Sequence, residues 1–225
     1  MKALKRLERI VCVLVLFALV VAVLLWSIGE DNSGIGDMPG DAYQAEGAGV
    51  QELHQIDWDA LPETVVAWVE VPGTTINEPI AQATAGSPNA YLYEDALGQG
   101  AYGTPYIDWE CSLDSDFVMV YGHHMSDGSV FADFANFIDG EYAREHDEII
   151  IYERTGGVSV LKPMAIDIVN ASFEKLVIPK PTEFKDRITS SDLVLDDKTL
   201  SKKLWAFTTC SYQTSNSRTV IYAGA

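Results

Sequence analysis

The stretch Ala206-Phe207-Thr208-Thr209-Cys210-Ser211-Tyr212-Gln213-Thr214-Ser215-Asn216-Ser217-Arg218-Thr219-Val220-Ile221-Tyr222 sets two runs of apolar and β-branched residues on either side of a polar centre. Such runs read as strands and the centre as their connection, so a cysteine ends one strand and an arginine opens the next. The same grammar repeats upstream. Val65 to Val71 leads into the turn dipeptide Pro72-Gly73, and Phe117 to Tyr121, Glu148 to Tyr152, Val158 to Val169 and Leu204 to Thr209 are further short apolar runs. Short strands separated by turn chemistry predict an all-β barrel or sandwich, not a βαβ fold. Helices are few. Ser129 is placed to N-cap a helix whose Phe131, Phe134, Phe137 and Ile138 share one side, and a second is expected from about 182 to 190. Leu53, Ile56, Trp58 and Leu61 suggest a short helical segment ahead of the first strand.

Cys210, Arg218 and the histidine of Tyr121-Gly122-His123 make up a nucleophile, a fixed cation and a proton carrier. The thiolate, not the thiol, attacks a carbonyl carbon, and a neighbouring histidine or arginine stabilises it. Arginine keeps its charge at any working pH. Its planar fork suits a carbonyl oxygen that turns negative in a tetrahedral intermediate, which makes Arg218 an oxyanion or substrate clamp rather than a base. Proton transfer then falls to His123. Taken singly, each has a plainer reading: Cys210 a small buried hydrophobe, His123 a core histidine, Arg218 a solvated strand-end charge. His124 adjoins His123, and neighbours at a strand end point in different directions, so only one of them can face Cys210. His54 and His146 lie in acidic, helix-like contexts and read as surface residues.

Together these residues resemble the sortases, the cysteine transpeptidases of bacterial cell surfaces. The family's Thr-Leu-x-Thr-Cys signature falls on Ala206-Phe207-Thr208-Thr209-Cys210, its strand-opening arginine on Arg218, and its histidine on the first of Tyr121-Gly122-His123-His124-Met125. Class B is the most similar subgroup. That similarity rests on residues 68–77 (WVEVPGTTIN), 89–93 (NAYLY) and 122–131 (GHHMSDGSVF), and it extends over about residues 50 to 225. Ala206, Phe207 and Glu78 depart from the usual threonine, leucine and tyrosine. None of these removes a catalytic group, so they bear on substrate fit.

The resemblance implies a mainly β fold, a closed barrel of seven to eight strands with a few peripheral helices, including one in the connection before the cysteine strand. It implies that Cys210 attacks a short sorting motif near the C-terminus of a secreted protein and forms a thioacyl enzyme. An amine of cell-wall peptide or a pilin lysine would resolve it. Asn89 and Tyr93 match positions on the class B groove wall, and Thr208 and Thr209, just before the nucleophile, either contact substrate or fill the strand. No cofactor and no metal are expected. The histidines and cysteines include no pair of the Cys-x-x-Cys type.

Residues 10–28 form a stretch of 19 without charge, preceded by Lys2, Lys5, Arg6 and Arg9 and followed by Glu30 and Asp31. Its length and flanks predict a transmembrane helix with a cytoplasmic basic N-terminus, residues 1–9, and everything after about residue 29 outside the cell. A cleaved leader shares these features, but the run exceeds the usual signal core and Trp26-Ser27-Ile28-Gly29-Glu30 lacks a small-x-small site, so the segment is expected to stay as an anchor. Residues 29–49 are rich in Gly, Asp and Glu and read as an acidic tether to a catalytic domain over 50–225.

The net charge is −18, with 15 basic and 33 acidic residues; residues 1–9 hold four basic and one acidic, which leaves −21 for the remainder. Such a surface repels nucleic acid and anionic headgroups. Of the three cysteines, Cys12 lies in the apolar run, Cys111 in a polar loop, and Cys210 reads as a free thiol. Two other readings remain. L,D-transpeptidases also use cysteine, histidine and arginine, but their arginine follows the cysteine by two residues, against eight here. A non-catalytic, membrane-tethered β-domain for binding would leave Cys210 unreactive.

Overall fold

Alternation decides the first strand. β1 (Val65–Glu70) buries Val65, Ala67 and Val69 and leaves Val66, Trp68 and Glu70 half-buried, the period of two of a strand with one face on a core. The computed structural model describes residues 54–97, 102–172, 176–198, 202–212 and 216–225. β1 pairs antiparallel with both β2 (Asn77–Gln82) and β5 (Ile149–Glu153). From β2 the sheet continues through β3 (Tyr106–Ile107), β4 (Phe117–Tyr121), β8 (Leu204–Ser211), β9 (Ser217–Gly224) and β6 (Val158–Asn170). β6 then pairs with β5, so eight strands close into a barrel, and the short β7 (Leu193–Val194) lies on β6 outside the ring. Closure leaves no long edge open to other chains.

Two joints in the ring are parallel, β2–β3 and β4–β8. β6 turns the corner from β5 to β9 at Pro163, where the register shifts between Pro163 and Ala165. A proline has no N–H for a ladder, and an irregularity is where a central strand tolerates one.

The core is aromatic beneath the β8 strand. Phe131, Phe134, Phe137, Phe207 and Trp205 are almost wholly buried, with Phe134 stacked on Phe207 at 5.2 Å between ring centroids. The three phenylalanines share one side as expected, but on a 3-10 helix, Ala132–Ile138, whose three residues per turn suit the spacing of three. Phe131, not Ser129, occupies the cap position; the Ser129 hydroxyl donates to Asp127 Oδ1 at 2.6 Å instead. α1 (Gly140–Glu145) follows, N-capped by Asp139. The connection before β8 carries a 3-10 turn, Pro181–Glu183, and α2 (Phe184–Thr189).

Several expectations need correction. The helical segment over Leu53, Ile56, Trp58 and Leu61 is only a 3-10 turn, Trp58–Ala60, among the described residues. Arg154 holds it by donating to the carbonyls of Leu61, Pro62 and Val65. His54 and His146 are half-buried rather than surface groups: the His54 ring meets Trp68 and Tyr152 edge-on, and His146 stacks on Tyr142 at 4.1 Å. Cys111 is buried, and burial pushes its thiol pKa up. Cys111 and Cys210 are both free. The expected membrane segment, 10–28, and tether, 29–49, lie outside the described residues. Among the described residues no helix is long and apolar enough to cross a membrane.

Candidate active site

β8 and β9 set Cys210 directly across from Arg218 in an antiparallel ladder, with Thr209 opposite Thr219. On its other side β8 lies parallel to β4, which ends with Tyr121 opposite Thr208; the Gly122 N–H then donates to the Thr208 carbonyl at 3.0 Å. His123 follows at that same end of the barrel. Cys210, Arg218 and His123 thereby line one cavity of about 370 Å³. Tyr93, Thr208 and Thr209 line it too, as do Leu92, Tyr106, Tyr121 and Gly122. Asn89 is not among the lining residues; it is exposed, and its carbonyl accepts from Leu92 N–H.

His123 Nε2 lies 2.7 Å from the Leu92 carbonyl oxygen. A carbonyl only accepts, so Nε2 carries a proton and Nδ1 is the nitrogen left to take or give one. The Arg218 fork is steadied by Nη1 bonds to the Ser217 carbonyl at 3.0 Å and Asn216 Oδ1 at 3.2 Å. Thr208 turns its hydroxyl toward Met119 Sδ, at 3.4 Å. The buried hydroxyls of Thr209 and Thr219, beside the Cys210–Arg218 pair, have no hydrogen-bond partner among the described residues. Tyr93 is three-quarters exposed.

Tyr121 and Tyr106 pack ring to ring at 5.4 Å, and the Tyr121 hydroxyl donates to Asp108 Oδ2 at 3.0 Å. Burial pushes the Tyr106 phenol up to about 12 and that of Tyr121 further, so this part of the wall stays uncharged. Sequence reasoning missed Leu92, whose contribution is a backbone carbonyl, and both tyrosines.

Gly122 is forced by packing. A Cβ there would stand 2.3 Å from the ring of Phe131, which is wholly buried and has nowhere to go. Gly122→Ala is therefore expected to cost about 1–3 kcal/mol of stability and to displace His123, read as a lower melting temperature with loss of activity.

The loop from His123 to Phe131 is closed at its base by Phe131 N–H donating to the His123 carbonyl at 2.9 Å and by a bridge between His124 and Val130. Val130 has φ of 60°. For a β-branched residue that left-handed conformation costs on the order of 1–2 kcal/mol and must be held by its surroundings.

Near Val130 stands Glu78 on β2, whose charged form the Val130 N–H favours. Burial is the largest influence on Glu78 and, aided by Asp95 but opposed by that N–H, raises its pKa from 4.5 to about 7. The folded state thus favours the protonated form. The stability this confers is complete below the unfolded value and is lost as pH rises through about 7, up to about 3 kcal/mol in all. Glu78→Gln keeps an acceptor without the charge. Thermal unfolding from about pH 5 to about pH 8 should show the variant gaining stability over the parent as pH rises, with a flatter slope.

No family model matches the chain. Sortase B from Listeria monocytogenes is 30% identical over 94 residues, a match spanning 40% of this chain and 37% of that protein. Sortase B from Clostridium perfringens superposes with a TM-score of 0.64 at 22% identity, covering 74% of this chain and 96% of that one. A Streptococcus pyogenes class B sortase involved in pilus biogenesis gives 0.63 at 21% identity, covering 74% and 95%. A Staphylococcus aureus sortase B–substrate complex gives 0.58 at 18%, covering 74% of this chain and 81% of that one. The described domain thus has the fold of the class B sortases, and two-fifths of the chain is similar in sequence to one of them.

Proposed function

We propose that the protein is a cysteine transpeptidase that cuts a C-terminal sorting motif in secreted proteins and joins the new end to an amine. The observation that carries this reading is the Cys210–Arg218 cross-strand pair facing the same cavity as His123. The Cys210 thiolate attacks the scissile carbonyl carbon, forming an S–C bond and an oxyanion that Arg218 receives. Collapse breaks the C–N bond, and His123 gives the departing amine its proton. The thioester left behind is attacked by an acceptor amine, whose proton His123 takes as the new C–N bond forms and the thiolate leaves. Tyr93 and Thr209 are proposed as substrate contacts, with Asn89 and Thr208 nearer the margin of that role.

The substrate class follows the Staphylococcus aureus sortase B–substrate complex. For the acceptor, cell-wall peptide and a pilin lysine both fit an amine-resolved thioester, the latter in keeping with the Streptococcus pyogenes relative involved in pilus biogenesis. Residues 10–28 would anchor the chain with its catalytic domain outside the cell. The test is to incubate the full chain with a library of sorting-motif peptides and an amine acceptor and follow both joined product and a mass-shifted adduct on Cys210. Adduct and product together support the reading. A Cys210 that neither acylates nor reacts with a thiol reagent would favour a binding module.

A further inference from the structure

β8 loses a neighbour where the nucleophile sits. Its parallel partner β4 stops at Tyr121, opposite Thr208, and the last backbone rung between these segments is Gly122 N–H to the Thr208 carbonyl. In a strand the carbonyls of residues two apart point the same way. The next carbonyl on that side of β8 is therefore that of Cys210, and a continuing parallel ladder would meet it with the N–H of residue 124. The chain instead turns into the loop that ends at Phe131. The rung is kept by a side chain: His124 Nδ1 lies 2.9 Å from the Cys210 carbonyl oxygen.

The orientation of that carbonyl also settles the character of the pair with Arg218. In an antiparallel ladder a hydrogen-bonded pair turns both N–H and C=O toward each other. Cys210 turns its C=O away from β9, toward His124, so Cys210 and Arg218 form the non-hydrogen-bonded kind, in which the side chains stand closer. Holding the Cys210 carbonyl thus holds the thiol against the guanidinium.

We infer that His124 is a positioning residue that acts through its Nδ1–H on the Cys210 carbonyl, fixing the end of β8 so that the nucleophile stays beside Arg218. His124 is itself fixed from two sides. Its backbone bridges Val130, and its ring stands at 63° to that of Tyr212, 4.8 Å between centroids. Because a carbonyl only accepts, Nδ1 is the donor in this contact. His123 and His124 then have separate tasks. One presents a nitrogen to the cavity; the other never enters its lining and grips the strand.

The activity side of this inference rests on the transpeptidase reading, so the experiment pairs an activity readout with one that needs no substrate. His124→Ala, His124→Asn and His124→Gln are compared in the full chain. An asparagine amide nitrogen superposes on Nδ1 of histidine, whereas the glutamine amide reaches to where Nε2 stood. Losing one hydrogen bond of this kind is expected to lower kcat for thioacyl formation about tenfold in the alanine variant, with KM within about twofold. Asparagine should restore the rate to within about threefold of the parent, and glutamine should not.

The second readout is the rate at which iodoacetamide alkylates Cys210 near neutral pH. It should fall in the same order, by about three- to tenfold for alanine, because a loosened thiol is less well stabilised as thiolate by Arg218. If no peptide is turned over even by the parent chain, the transpeptidase reading fails, and the alkylation series alone decides the positioning role. An alanine variant that matches the parent in both readouts overturns the inference. So does rescue by glutamine but not asparagine, which would make Nε2 the working atom.

Discussion

Cys210→Ala is expected to leave neither joined peptide nor thioacyl adduct, a fall on the order of 10⁵–10⁶-fold to background, because no other side chain in the cavity can carry the acyl group. Tyr93, Tyr106, Tyr121, Thr208 and Thr209 are the hydroxyl-bearing neighbours; burial holds the Tyr106 and Tyr121 phenols neutral, the Thr208 hydroxyl faces Met119, and Tyr93 stands exposed at the rim. His123→Ala should approach the same loss, about 10⁴-fold, since the departing amine loses its acid. The double variant should be little worse than Cys210→Ala alone, as for groups that serve one transition state. Mass spectrometry of the adduct and chromatography of the joined product separate the two steps. A His123→Ala enzyme of near-normal rate beside a dead His124→Ala one would exchange the roles assigned to the two histidines.

Arg218→Lys should lose on the order of 10²–10³-fold in kcat/KM although the charge is kept. The guanidinium has five N–H donors: Nη1 is engaged with the Ser217 carbonyl and Asn216 Oδ1, and Arg218 lines the cavity. An ammonium is a single point with no fork, and the same two acceptors at its base would draw it away from the oxyanion. The expected fall is in kcat more than in KM, because the oxyanion exists only after attack. A lysine variant within threefold or so of the parent would reduce Arg218 to a source of positive potential.

The strands that were legible in the sequence are those whose side chains alternate or run apolar without interruption, such as Val65–Glu70 and Phe117–Tyr121. β2 was hidden because Asn77-Glu78-Pro79 opens it with a polar pair and a proline. The structure shows why that is tolerated: β3 joins β2 only from Ala81, so Pro79 lies where β2 has one ladder rather than two. Tyr106–Ile107 and Leu193–Val194 are too short to carry a period. The phenylalanines at 131, 134 and 137 fit a helix of three or of 3.6 residues per turn equally well, and packing on Phe207 chose the former.

The site shows the same division. That Cys210, Arg218 and His123 share one cavity could be anticipated because they are side chains at strand ends. Leu92 was not, since it offers a main-chain oxygen that any residue would offer. The separate orientation of His123 and His124 followed from strand geometry, but the destination of His124 depended on β4 ending two residues short of the nucleophile.

The parallel joint between β4 and β8 also dictates when reactivity can arise during the life of the chain. His123 precedes Cys210 by 87 positions, and the intervening segment contains β5, β6 and α2 before β8 can dock. Contacts of such long sequence separation are among the last to repay the entropy of closing their loop. Arg218, the proposed clamp, lies later still, on β9, so a fragment that stops before β9 lacks part of the proposed site. In the proposed mechanism, a chain still in synthesis therefore holds Cys210 without its two partners, and attack on a carbonyl waits for completion of the barrel.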